Sequence, residues 1–181
     1  MQRDLVVAAR NGDHDAFEAL ATMASPRLYS IARLILRDAQ LAEDAVQEAL
    51  VNAWRRLPSL RDPDRFDAWA YRLLVNACAD LGRARRRTAM EIRSIRPAIT
   101  DDASGWVADR DQLDRAFRRL RPEHRAALAL HHYLGLPAVE IAELLGIPVG
   151  TIKSRIHYGT QVMRAALEAD DRPVAASGGA R

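Results

Sequence analysis

The hydrophobic pattern along the chain predicts helices almost throughout. Apolar residues recur at spacings of three and four, and no run alternates apolar and polar residues as a half-buried strand does. We therefore expect an all-α fold. Pro26 stands where it would open a new helix. Proline, glycine and aspartate divide the pattern into helices at about 2–9, 13–23, 26–35, 38–57 and 66–87, with four more between about 109 and 168.

A break in this periodicity divides the chain into two modules. Residues 88–108 combine proline, glycine and an acidic patch with weak helical spacing. We predict two small helical domains, 1–90 and 109–170, joined by a flexible linker at 91–108. Residues 171–181 are rich in Pro, Gly, Ser and Ala, and are predicted to form a disordered tail.

Composition restricts the class of protein. Hydrophobic residues make up 49% and charged residues 28%, which is typical of a soluble chain with a packed core. No apolar run is long enough to span a bilayer and no secretory signal is present, so we expect a cytoplasmic protein without membrane insertion. The one cysteine, Cys78, excludes an internal disulfide and a cysteine-based zinc site.

Residues that could carry catalysis are scattered. His124, His131 and His132 do not form HExxH or another paired metal spacing, and no Cys/His or Ser/His arrangement is implied. We predict no enzyme activity, no metal and no cofactor. The formal net charge is +3, and Lys153 is the only lysine among 27 Lys and Arg residues. This balance permits a nucleic-acid partner without requiring one.

The most specific local pattern lies at residues 139–156. Ala142, Gly146 and Ile152 supply a small residue at a helix crossing, a turn glycine and a β-branched packing residue. This spacing is typical of a helix-turn-helix, although a plain helical hairpin is the alternative. The second helix would enter the major groove, with upstream arginines neutralising phosphates. The candidate duplex-binding residues are Arg125, Thr151, Lys153, Ser154, Arg155, His157 and Tyr158.

The helix predicted at 38–57 has an apolar stripe and an acidic flank. At 100° per residue, the stripe consists of Val46, Leu50, Ala53, Trp54 and Leu57. Carboxylates near the start of a helix interact favourably with the helix dipole, so electrostatic stabilisation of the helix is one interpretation of the acidic flank. An acidic, partly apolar docking surface for another protein is the other. The residues of this docking flank are Asp44, Gln47, Glu48 and Val51.

The helix predicted at 66–87 has a basic and amide face beside its aromatic residues. Positive side chains near a helix C-terminus are favourable for dipole reasons alone. A basic track that leads from aromatic residues and an irregular loop also fits a platform for single-stranded nucleic acid. The helical residues of this strand platform are Trp69, Arg72, Asn76, Arg83 and Arg86.

Together the two modules resemble bacterial sigma factors. The segments AEDAVQEALVNAWRRL and RFDAWAYRLLVNACADLGRARRR resemble region 2. The segments LDRAFRRLRPEHR, EIAELLG and GTIKSRI resemble region 4. The pair, in this order, is similar to the extracytoplasmic-function (ECF) group, which keeps only regions 2 and 4. The resemblance covers about residues 13–168.

This resemblance implies a promoter-specificity subunit of RNA polymerase that initiates transcription. The docking flank would bind the β′ coiled coil of the polymerase core, with β as a further partner. The strand platform would open the −10 element as a single strand, and the helix-turn-helix would read the −35 element as duplex. An anti-sigma protein is an expected partner. The resemblance adds the loop residues Ser59, Arg61, Asp62 and Arg65 to the strand platform.

A one-component transcriptional regulator with a C-terminal helix-turn-helix is the alternative function. It would need a ligand pocket within residues 1–90, whose surface is largely charged. The predicted linker, with Asp101 and Asp102, has little periodicity and would not fix the spacing of the two DNA-reading modules. We therefore expect the free chain to recognise a promoter poorly, whereas a self-sufficient regulator would bind well alone.

Overall fold

A computed structural model describes residues 1–93 and 108–170, including the side chains of 1–88 and 113–168. The described residues are helical and contain no strand, which confirms the all-α prediction. The centre of the predicted linker, 94–107, and the predicted tail, 171–181, lie outside the described residues. The helices are α1 (Gln2–Arg10), α2 (His14–Leu36), α3 (Ala39–Arg56), α4 (Phe66–Arg93), α5 (Ala108–Arg119), α6 (Pro122–Leu128), α7 (Ala138–Leu145) and α8 (Val149–Asp170).

Aspartates start two of the helices in the first module. Asp13 accepts a hydrogen bond from the backbone N–H of Ala16, and Asp38 accepts one from that of Leu41, both at 3.0 Å. Such caps satisfy backbone donors that have no partner inside the helix. Arg37 ends α2 in the left-handed conformation, with φ of 61°, so α2 and α3 are joined by two residues.

Pro26 does not begin a helix, contrary to the prediction. It lies inside α2, which continues unbroken from residue 14 to residue 36. The hydroxyl of Ser25 donates to the carbonyl of Ala21 at 2.6 Å, and that of Ser30 donates to the carbonyl of Pro26 at 3.0 Å. Both halves of α2 bury apolar residues, from Leu20 to Ile35, in the module core. Burial of both halves outweighs the one backbone hydrogen bond that proline removes.

The first module consists of α1–α4 and has two hydrophobic clusters. The smaller one joins α1, the first half of α2, the loop before α4 and the start of α4 through Val6, Leu20, Leu57 and Phe66. The larger one packs α2 and α3 against α4, and it includes Cys78 at 0% exposure. The face of α3 in this core is made chiefly of alanines, and Leu50 and Trp54 of the predicted stripe are only partly buried. Small side chains let α3 approach its neighbours closely.

The second module, α5–α8, packs directly on the first. Its residues Ala126, Leu130, Ile141 and Ile152 belong to the same buried cluster as the core of α2–α4. Helix α6 contacts α2 and α4, and α7 contacts α4. A turn of π-helix at Ala129–Tyr133 follows α6. The two modules therefore share one continuous core, an arrangement that we call the closed arrangement.

Candidate nucleic-acid and protein interfaces

The docking flank lies on the outer side of α3. Gln47 and Glu48 are exposed, Asp44 is half-buried, and Val51 is 43% exposed. Within the described residues, neither carboxylate of the flank has an ion-pair partner. Val51 lies one turn beyond Glu48, so the flank combines an exposed apolar side chain with two carboxylates.

The strand platform is exposed along α4. Arg72, Asn76, Arg83 and Arg86 all face solvent, and Arg83 is paired with Asp80. Trp69 is half-buried, with its ring 6.2 Å from that of Phe66. Since 72, 76, 83 and 86 are separated by four, seven and three residues, they occupy one face of the helix.

The loop before α4 carries the remaining residues of the platform. Asp62 accepts a hydrogen bond from the backbone N–H of Asp64 at 3.0 Å, which closes a short turn at Pro63–Arg65. The hydroxyl of Ser59 donates to the carbonyl of Arg56 at 2.6 Å. Ser59, Arg61, Asp62 and Arg65 are all exposed. The turn thus presents both charges and hydrogen-bonding groups beside Trp69.

Helix α7 of the second module lies beside the loop and the first turns of this platform. A cleft of about 490 Å³ has Arg65, Trp69 and Arg72 on one wall and Glu140 and Glu143 on the other. The two glutamates thus face the charges that would attract nucleic-acid phosphates. The sequence pattern did not assign a role to these two glutamates. Their place opposite the platform depends on packing between modules, for which no local signal exists.

The recognition face of α8 presents polar groups to solvent. Lys153, Ser154 and His157 are exposed, Tyr158 is 53% exposed, and Thr151 and Arg155 are half-buried. The hydroxyl of Ser154 donates to the carbonyl of Thr151 at 2.9 Å. The face is therefore available at the start of α8, the part of a recognition helix that reaches base edges.

Two residues of this helix, Tyr158 and Gly159, contact α6. The ring of Tyr158 lies 4.9 Å from that of His124. Burial lowers the pKa of His124, with smaller effects from Arg155 and Arg121 in the same direction and from Glu123 in the other. The backbone of α8 at Gly159 lies so close to Leu128 that a Cβ at this position would be 2.7 Å from Cδ1 of Leu128. Glycine, which has no Cβ, allows this close packing.

Arg125 differs from the other predicted duplex-binding residues. It is only 9% exposed, and its Nε has no hydrogen-bond partner. Burial lowers the pKa of its guanidinium to about 10, the positive charges of Arg37 and Arg86 add to that effect, and the negative charge of Glu123 opposes it. In the closed arrangement Arg125 therefore does not reach the exterior with the residues of α8.

The cysteine and the histidine pair of the chain are held by their surroundings. Burial raises the pKa of the Cys78 thiol to about 12, which keeps it protonated and unreactive. His131 is tied through Nδ1 to the carbonyl oxygen of Leu136 at 2.8 Å, and its ring contacts that of His132. Among the described residues no group of three or more His, Cys, Asp or Glu could hold a metal ion. None of the described helices is long and apolar enough to cross a membrane.

Two helical modules, one with a basic and aromatic strand platform and the other with a helix-turn-helix, define a class of transcription initiation factor. Residues 20–88 match the family described as Sigma-70 region 2, and residues 110–159 match Sigma-70, region 4. The chain belongs to the sigma-70 family and is an ECF-type sigma factor. This membership does not favour the one-component regulator.

Curated relatives agree over most of their length. The chain is 33% identical to the ECF RNA polymerase sigma factor SigM of Mycobacterium tuberculosis over 153 residues, covering 84% of this chain and 77% of the relative. It is 27% identical to the ECF RNA polymerase sigma factor SigW of Bacillus subtilis, covering 92% and 97%.

Solved structures show the same fold. CnrH in complex with the cytosolic domain of CnrY has a TM-score of 0.66 at 28% identity, covering 94% of this chain and 99% of that one. The sigma factor RpoE of Bartonella quintana, in complex with the anti-sigma factor NepR, has a TM-score of 0.67 at 25% identity, covering 86% and 98%.

Proposed function

We propose that this chain directs RNA polymerase core to promoters in the cytoplasm. The docking flank binds the core, the strand platform holds the −10 element as a single strand, and the recognition face reads the −35 element. The exposed face of α4 supports this proposal most directly, because Arg72, Asn76, Arg83 and Arg86 line up beside Trp69. Basic tracks with stacking platforms bind single strands without needing a duplex groove.

The docking flank would contact the β′ coiled coil, with β as an additional partner of the core. Asp44, Gln47 and Glu48 can bind cationic and hydrogen-bonding groups, while Val51 adds an apolar contact. Complementary charge speeds association and fixes the register of two surfaces. No catalytic or cofactor role is needed, since the polymerase carries out the chemistry.

An anti-sigma protein is a further proposed partner. CnrH and the Bartonella quintana RpoE are both described in complexes with CnrY and the anti-sigma factor NepR, respectively. Both complexes contain a protein whose fold matches this chain over at least 86% of its length. A partner that binds across both modules would keep the strand platform covered.

Charge reversal on the docking flank tests the proposed role in core binding. In the variant with Asp44→Arg and Glu48→Arg, affinity for core polymerase should fall by at least about tenfold, since like charges would then meet across the interface. The variant should keep its helical circular dichroism spectrum, because Glu48 is exposed and Asp44 is only half-buried.

The matched control carries Asp15→Arg and Glu18→Arg, which make the same change of charge at two exposed positions of α2. Core affinity should be unchanged in the control. If the wild-type chain and the α3 variant bind core polymerase with equal affinity, the docking flank does not lie in the interface. An equal loss in both variants would indicate only a dependence on net charge.

A further inference from the structure

A cleft between the two modules is lined by an unusual number of arginines. Its volume is about 350 Å³, and its apolar base includes Leu36 and Leu41 of the first module and Leu120 of the second. Arginine side chains come from α4 on one side and from α5, α6 and the turn between them on the other. They are Arg85, Arg86, Arg118, Arg119, Arg121 and Arg125.

Arg125 is the buried member of this arginine cleft. Nine-tenths of the residue is removed from solvent, and no hydrogen bond or ion pair is formed by its guanidinium within the part of the chain that is described. Its pKa, lowered to about 10, still leaves it charged at neutral pH. A buried charge without a partner is strongly unfavourable unless a counter-charge binds it.

The carboxylates nearby neutralise only half of the cleft. Asp38 is 2.7 Å from Arg85, Asp114 is 2.6 Å from Arg118, and Glu123 is 3.5 Å from Arg121. Asp114 is also paired with Arg37, which follows α2. Among the described residues, Arg86, Arg119 and Arg125 have no carboxylate partner.

We propose that the arginine cleft binds a small anion with several phosphate groups, which bridges the two modules. Guanidinium groups bind phosphate oxygens through paired, charge-assisted hydrogen bonds, so three unpaired arginines suit a multivalent phosphate. The walls on both sides leave a cavity suited to a small molecule rather than a duplex. The site needs the closed arrangement, because α4 supplies Arg86 and α6 supplies Arg125. This proposal does not depend on the proposed function.

Thermal unfolding of the full chain with sodium tripolyphosphate tests the site. At about a hundredfold excess over Kd, a ligand bound only by the folded chain should raise Tm by about 5–10 °C. Inorganic phosphate should give a smaller rise, and sodium sulfate at equal ionic strength should give little. Equal rises with sulfate and tripolyphosphate would overturn the proposal, since only general charge screening would then be at work.

Variants of two of the three unpaired arginines identify the site. Arg125→Met removes a buried charge but keeps the volume, so the ligand-free Tm should stay level or rise, while affinity for tripolyphosphate should fall at least about tenfold. Arg86→Gln, at an exposed position, should weaken binding without affecting folding. The control, Arg55→Gln on α3, removes an exposed arginine outside the cleft and should leave affinity unchanged.

Two outcomes count against the inference. Unchanged tripolyphosphate affinity in both Arg86→Gln and Arg125→Met would exclude the cleft as its site. A second outcome would assign the cleft to nucleic acid instead. In that case a single-stranded oligonucleotide would bind and would lose affinity in Arg125→Met, whereas tripolyphosphate would not bind. The site is supported if the wild-type chain binds tripolyphosphate more tightly than phosphate or sulfate. Both cleft variants should lose this preference, and Arg55→Gln should keep it.

Discussion

At the residue scale, Gly146 shows how one backbone conformation determines a motif. It ends α7 with φ of +68°, in the left-handed region that side chains with a Cβ adopt only at a cost. Its N–H donates to the carbonyl of Ala142 at 2.9 Å, which completes the turn before α8. Gly150 lies four residues later in the first turn of α8, outside the left-handed region and with open space around it.

These two glycines should respond in opposite directions to the same substitution. Gly146→Ala should lower the free energy of unfolding by about 1 kcal/mol, because alanine is strained in the left-handed conformation. Gly150→Ala should leave it unchanged or raise it by up to about 1 kcal/mol, because alanine favours a helix. Urea denaturation followed by circular dichroism measures both values. A Gly146→Ala protein as stable as the wild type would contradict the assigned turn.

At the element scale, α8 combines packing and recognition on different faces. Ile152 is fully buried and Gly159 packs closely on Leu128, so one face is fixed against the module core. Arg155 stays half-buried at the edge of the recognition face. Arg164 follows nine residues later and is exposed, which places it half a turn around the helix from Arg155.

Arg155→Ala should weaken binding of the holoenzyme to a cognate −35 element. A bidentate contact to a base predicts a loss of about 1–3 kcal/mol and relaxed preference at one position. A phosphate contact predicts an equal loss for all sequences and a salt slope smaller by about one. Titrations over single-base promoter variants at several salt concentrations distinguish the two contacts.

Arg164→Ala is the control for this prediction, since it removes an arginine from the opposite face of the same helix. Its affinity and its salt slope should match those of the wild type. If Arg155→Ala also matches the wild type in both measurements, then Arg155 does not contact the −35 element.

At the scale of the whole molecule, the closed arrangement places α7 beside the loop and the first turns of the strand platform. Glu140 and Glu143 share a cleft with Arg65, Trp69 and Arg72, so carboxylates stand opposite basic residues of the platform. The shared core around Ile141 adds apolar contacts between the modules. This packing gives a second physical reason, besides the unfixed spacing of the two modules, why the free chain should bind a promoter poorly.

The variant with Glu140→Arg and Glu143→Arg should bind single-stranded −10 DNA more tightly than the free wild-type chain. Reversed charges would repel Arg65 and Arg72 and open the cleft. Fluorescence anisotropy with a labelled oligonucleotide should show a gain of at least about tenfold.

Added positive charge also strengthens nonspecific DNA binding, so the comparison needs a variant of equal net charge. The variant with Asp15→Arg and Glu18→Arg provides it, at exposed positions of α2. A gain of the same size in both variants would show that α7 does not block the platform. Tight, sequence-specific binding by the free wild-type chain would contradict the prediction as well.

The sequence by itself determined the features that depend on short-range rules. Apolar residues at spacings of three and four predicted the helices, Asp38 indicated the start of α3, and Gly146 indicated the turn of the helix-turn-helix. The burial of Cys78 also follows from its place on the apolar face of α4. Each of these features depends on residues within about one helical turn of each other, so the local sequence pattern is enough to predict it.

Only the tertiary structure decided the features that depend on distant segments. Pro26 remains inside α2 because core packing on both sides of it outweighs one lost hydrogen bond. Arg125 is buried beside Arg86, and Glu140 lies opposite Arg72, because α6 and α7 pack on the first module. The physical reason is that burial and electrostatic environment are set by whichever surfaces meet, and residues far apart in the chain leave no periodic sign that they will do so.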